Sequence, residues 1–434
     1  MNSLRRGMLV GMAWMAASFC TTAPAQTRRT TANPRNYRDL LRTLAAGQTL
    51  RLEAGLYEHG LPIHGLVGAA DAPIVIEGPG AGGRAIFVAR PGANTVSIVD
   101  SAHVVIRGLV LDGRHLAVDA VKAEGHARWA HHITLENLRI VNHGAHQSLV
   151  GISTKCPAWG WVVRGNAIVG AGTGMYFGNS DGSAPFIASL IEGNRVIDPI
   201  GYAVEIKHQQ SRPSIDGLPS GEQHTAIRRN VFVKSRGAST GEMARPNLLV
   251  GHFPLSGRGA EDRYLIYRNL FFDNPTEALF QGEGNIALYN NLFVNPHGDA
   301  VAIQPHKHLP RRIAVFQNTV VAAGSGIKLV GQEAGAARYV AGNLVCSPRP
   351  LVGEIDGRNE TAAFEAAAEW VVQPFGPIDA LDLSARRMSA SALRPLPREI
   401  AALPDADLDY LGRRRDGATA GACALKSSGS LPCR

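Results

Sequence analysis

Lys207, His208, Gln209, Gln210 and Arg212 follow directly on the apolar alternation of Ala203, Val204 and Ile206 in "YAVEIKHQQSRP". Further along, Arg245 and His252 stand at opposite ends of "RPNLLVGH", Gln281 and Glu283 in "FQGEG", and Gln304, His306 and His308 in "QPHKH". Lysine and arginine bind carboxylates, and histidine moves protons near neutrality. Together they suit β-elimination on a uronic acid, which needs a cation on the carboxylate, a base for the acidified C5 proton and an acid for the leaving oxygen. In that scheme Lys207, its pKa lowered by flanking cations, is the base. Arg245 grips the carboxylate through two parallel hydrogen bonds, and His252 or His306 carries the proton to the leaving group. His208, Gln209, Arg212, Gln281, Glu283, Gln304 and His308 are expected to contact the sugar. Hydrolysis needs two carboxylates across the scissile bond. Glu283 with Glu205 or Glu277 is the nearest approach to that, so hydrolysis ranks below elimination. A non-catalytic binder of acidic glycans would use the same side chains, with Tyr202, Phe253 or Phe280 as sugar platforms.

The elements that must position these residues repeat. An apolar-x-x-Asn pattern followed by a second apolar run recurs around Asn137, Asn166, Asn194, Asn230, Asn269, Asn291, Asn318 and Asn343, at spacings of 29, 28, 36, 39, 22, 27 and 25 residues. A period in the twenties, built from short strands and turns, marks a solenoid whose coils share one core. The asparagines are expected at a left-handed turn, passing side-chain hydrogen bonds from coil to coil as a structural ladder. Counted from that ladder, Asn179, Lys207, His252, Glu283 and His306 fall within two positions of one column, where equivalent residues of successive strands stand about 4.8 Å apart. The equivalent stretch elsewhere is mostly apolar, as in "SGIKLVG". The two longest spacings also fall here, so the insertions "SRPSIDGLPSGEQ" and "PLSGRGAED" overhang the column. The expected layout is an N-terminal cap over 26–73 with a helix in "NYRDLLRTLAAG", a parallel β-helix over 74–350, and a C-terminal part over 351–434 with a helix in "ETAAFEAAAEWVV" and an extended tail.

These coils, with "LAAGQTLRLEAGLYEHGLPI", "APIVIEG" and "DLDYLGRRRDGATAGA", resemble the right-handed parallel β-helix proteins of the pectate-lyase-like superfamily. The chain is distantly similar to polysaccharide lyase family 6, the chondroitinase B and alginate lyase group. That resemblance implies an all-β fold and places Lys207 at the family's base position and Arg245 at its acid position. It also implies Ca2+ held by two acidic residues, of which only Glu205 stands here. "QPHK" keeps the Pro305 and His306 of an epimerase Asp-Pro-His-Asp motif, with Gln304 and Lys307 replacing both acids.

Residues 1–25 carry Arg5 and Arg6, an apolar stretch and the ending Ala23-Pro24-Ala25, which reads as a signal peptide cleaved near Ala25 and places the protein in the periplasm or outside the cell. Its loss lowers the formal charge from +8 to +6, which suits an anionic glycan. Aromatic residues at 6% with no interleaved basic stripe argue against nucleic acid. No apolar run reaches the roughly 20 residues of a membrane span. The chain is expected to be monomeric. Cys423 and Cys433, ten residues apart, could pair in an oxidising compartment, whereas Cys156 and Cys346 read as buried thiols.

Overall fold

Strands such as Ser101–Arg107 alternate buried and part-exposed residues along their length, because successive side chains point to opposite faces and one face covers the core. Each strand pairs in parallel with its equivalent in the coils before and after. The computed structural model describes residues 29–235, 241–355, 357–389, 395–415, 417, 419–429 and 431–434. The signal peptide expected over residues 1–25 lies outside them. Among the described residues the coils build three parallel sheets of 14, 12 and 11 strands. This is the expected parallel β-helix, of the right-handed kind that parallel crossovers adopt. The first sheet runs from Arg29–Ala32 to Arg338–Ala341, the second from Gly55–Tyr57 to Glu360–Ala362, and the third from Leu61–His64 to Arg349–Gly353. One continuous apolar core, from Tyr37 and Leu50 to Val340 and Val345, fills the space between them. No helix among the described residues is long and apolar enough to cross a membrane.

The asparagine ladder forms from Asn166 to Asn343. Each backbone N–H and side-chain amide donates to the Oδ1 of the next asparagine, as Asn230 does to Asn269 at 3.0 and 2.9 Å. The same amide also donates to a carbonyl of the preceding coil, so no polar group in the stack is orphaned. Two details differ from expectation. The left-handed residue is the one before the ladder, as at Gly165, Arg229 and Asn290, and Asn137 occupies that turn while Leu138 takes the ladder position. The ladder also runs one step further, to Asn359, which accepts from Asn343.

The N-terminal end is closed. Helix Tyr37–Leu41 places Tyr37 over the first coils, edge-on to Tyr57 and Phe87, with its hydroxyl donating to the Gly60 carbonyl at 2.6 Å. Strands Thr49–Leu52, Gly55–Tyr57 and Leu61–His64 already make a complete coil, so the solenoid begins ahead of residue 74. The helix expected over 360–372 shrinks to Ala367–Trp370. Glu360–Ala362 is drawn into the second sheet and Val371–Gln373 pairs with Asp382–Ala385, so sheet pairing overrides the helical composition on both sides.

The tail then returns along the flank of the solenoid. Arg268 donates to the Tyr410 carbonyl and Asp405, Tyr289 to the Pro404 carbonyl, Arg415 to Asn290, and Thr319 accepts from the Ala422 N–H. Cys423 and Cys433 form a disulfide within this tail. Cys156 and Cys346 are buried, and desolvation pushes both thiols up to about 12.

Candidate functional site

The third sheet carries the site. Its outward side chains form two adjacent columns, because residues two apart along each strand face the same way. One column runs Tyr176, Glu205, Leu249, Gln281 and Ala302. The other runs Lys155, Gly178, Lys207, Gly251, Glu283 and Gln304, each just past its strand. Gly251 leaves a gap between Lys207 and Glu283. A Cβ there would come within 2.3 Å of the His208 backbone nitrogen, so the floor admits no side chain. Over Leu249 and Gly251 lies a pocket of about 160 Å³ walled by Tyr202, Glu205, Lys207, His208, Gln281, Glu283, Gln304, His306 and Lys307.

Lys207 donates to Glu205 at 2.9 Å. The Glu205 side chain is only 3% exposed against 23% for Lys207, so the pair sits at the boundary of core and groove. Burial alone would lower Lys207, but the Glu205 carboxylate and the Tyr176 phenol outweigh it and the net displacement is upward. The lowered pKa expected for a lysine base is therefore corrected: Lys207 is held as an ammonium. Burial raises Glu205, partly opposed by Lys207, Lys155 and Arg245. Calcium would need several oxygen ligands. Glu205, a single carboxylate bonded to one ammonium, near a second and flanked in its column by Tyr176 and Leu249, does not fit that ion.

His208 lies beside this pair, its Nε2 3.0 Å from the Lys307 ammonium. Burial lowers its pKa to about 4, helped by Lys307, His252 and Lys207, so the ring is neutral and Nε2 accepts from Lys307. Lys307 is fixed from the other side by its backbone N–H, which donates to buried Glu283 at 3.2 Å. Gln281 donates to Glu277 at 2.8 Å, while Gln304 and exposed His306 complete the wall.

Several expected contacts lie elsewhere. Gln209 turns inward to the Phe186 carbonyl and the Tyr264 hydroxyl. Arg212 is 5% exposed and bonds Asp262 at 2.6 Å with further bonds to the Pro219 and Gly221 carbonyls, so it anchors the overhanging insertion and does not meet a sugar. His252 is buried behind His208, with Nδ1 on the Phe253 carbonyl at 3.0 Å and its ring steeply inclined to that of His308, the ring centres 4.2 Å apart. Neither His252 nor His308 lines the pocket. Arg245 stands beyond Tyr202, its guanidinium 5.8 Å from that ring. Its carbonyl is held by buried Lys234 and by Asn274, part of a short second asparagine stack with Asn247.

Sequence reasoning missed Lys155, Tyr176 and Lys307 as groove residues. The Lys155 ammonium lies 3.5 Å from the Tyr176 ring centre, and burial, then Lys122, lowers it to about 8. A strand-by-strand register would have found it, since Lys155, Gly178 and Lys207 share one column.

No protein-family model and no curated protein matches the chain. Solved structures do. An alginate lyase from Paenibacillus sp. str. FPU-7 is 16% identical, with 77% of this chain and 99% of that one covered at a TM-score of 0.48. Pectate lyase Pel9A is 13% identical, covering 93% and 90% at 0.46. The mannuronan C-5 epimerase AlgE4 A-module of Azotobacter vinelandii is 14% identical, covering 73% and 87% at 0.42. The likeness is one of fold.

Proposed function

We propose that this chain cleaves a uronic-acid-containing polysaccharide by β-elimination in the pocket over Leu249 and Gly251. The observation that carries the reading is a neutral histidine, His208, set between two ammonium groups, Lys207 and Lys307. A uronate carboxylate entering the pocket pairs with both lysines. Its charge offsets theirs, which are among the groups holding His208 down, so the imidazole gains basicity as the acidified C5–H arrives. When Lys307 turns to the carboxylate, His208 Nε2 is released to accept the proton. The C5–H bond breaks, the C4=C5 double bond forms, the C4–O bond breaks, and the departing oxygen takes a proton from His306 on the outer wall. Lys207, kept charged by Glu205, stabilises the enolate-like intermediate. Arg245 and Tyr202 suit the next sugar along the groove. Because Glu205 is bound to Lys207, elimination is favoured over a two-carboxylate hydrolysis. Export, expected from residues 1–25, suits such a polymer, and no calcium step is invoked.

The test is incubation of the mature chain with alginate, polygalacturonate, chondroitin and dermatan sulfates, hyaluronan and heparin, following ultraviolet absorbance of unsaturated uronates. A rise that His208→Gln and Lys207→Met abolish is the expected result. New reducing ends without absorbance would indicate hydrolysis, C5 inversion without chain cleavage would indicate epimerisation, and retention on the polymer without turnover would indicate a binder; each overturns the lyase.

A further inference from the structure

We propose that His103, His131 and His132 form a binding site for one divalent transition metal of the zinc class, on the first sheet and separate from the pocket on the third. One ring nitrogen from each lies within 4.8 Å of the other two. Nitrogens on a tetrahedral zinc at about 2.0–2.1 Å stand about 3.3 Å apart, so small ring rotations close the set. His131 and His132 already face each other Nδ1 to Nδ1 at 2.8 Å, and the His103 ring stacks on His132 at 4.4 Å.

Two of the three rings stand on one corner of the coils. His103 and His132 occupy equivalent corners of successive coils with φ of 52° and 51°, the left-handed conformation that the corner also has at Ala188. The next coil places Gly160 at that corner, where a Cβ would fall 2.8 Å from His132 Nε2, so the glycine makes room for the ring. His131 is wedged by Trp159, stacked at 4.3 Å, and by Trp129 at 4.8 Å. Three imidazoles with no carboxylate select zinc, copper or nickel over calcium or magnesium. His132 is exposed, so a fourth position opens to water.

The experiment is calorimetric titration of the tag-free, chelator-stripped mature chain with Zn2+, and with Ca2+ as control. The expected result is one zinc per chain at micromolar or tighter Kd, no calcium response at this site, and a visible absorption band on Co2+ substitution. His103→Asn and His132→Asn, which retain a residue that tolerates positive φ, should each weaken zinc about a hundredfold or more. His306→Ala, on the other sheet, should leave the stoichiometry at one. No zinc uptake by the unaltered chain, or binding that survives the His103 and His132 replacements but is lost with His306, overturns the proposal.

Discussion

The asparagine ladder and the groove are both stacks of polar side chains at coil spacing, and they behave in opposite ways. In the ladder every member is the same neutral amide, each donates to the next, and all are buried from Asn166 to Asn343. In the groove neighbours are unlike: an ammonium on a carboxylate, a glycine gap, a neutral histidine held beneath a lysine. Identity between coils saturates every hydrogen bond and leaves nothing for a ligand. Departure from identity leaves charges and a gap that a ligand can complete.

Lys207→Met is the severest break of the groove. With a uronate polymer as substrate, kcat should fall about 10²–10³-fold. Glu205, already raised by burial, takes up a proton, so the unfolding free energy measured in urea should fall by only about 1–2 kcal/mol. Asn269→Ala breaks the other stack. It orphans the Asn230 backbone N–H, takes one of the two acceptors of the Asn230 side-chain amide, and removes the side-chain bonds to Asn291 and the Ile227 carbonyl, so denaturant unfolding should show a loss of about 3 kcal/mol with turnover of the folded fraction intact.

His208 gives the pH arm of the comparison. Its folded pKa, about 4, lies below the 6.5 of a free imidazole, so the stability it contributes is present above 6.5 and is lost as pH falls toward 4. His208→Gln should abolish that part of the slope, and Asn269→Ala should not. Lys307→Met removes a charge that lowers His208, so the acid limb of kcat/KM should move up from about 4. The smallest effect should come from Lys328→Ala, on the same sheet and one coil past Ala302 in the groove column. Stability should stay within about 0.5 kcal/mol and turnover should not change.

The two stacks were not equally legible in the sequence. The ladder announces itself because one residue type returns at one place in each coil, and even its misreading is instructive. Asn137 sits one position early, since a left-handed turn and a ladder step both favour asparagine and only the hydrogen bond to Leu138 tells them apart. The groove has no such repetition. Lys207, His208, Gln281, Glu283, Gln304 and His306 were found by their departure from the apolar rhythm. Gln209 and Arg212 departed from it equally and turned inward, because their partners Tyr264 and Asp262 lie fifty residues or more along the chain. Lys155 escaped notice because insertions of unequal length spoil any count of columns from the ladder, and Lys307 was noted only as the replacement of an acid in "QPHK". The pKa of Lys207 was inverted for a similar reason: its cationic neighbours are visible in sequence, whereas the decisive bond to Glu205 depends on which way the two side chains turn.

The returning tail changes how such a stack comes apart. A solenoid of coils that touch only their neighbours can peel from either end, one rung at a time. The segment from Pro404 to Ala422 crosses that direction, holding Arg268, Tyr289, Asn290 and Thr319 of successive coils to one strap. The later coils are thereby laced together and must loosen as a block.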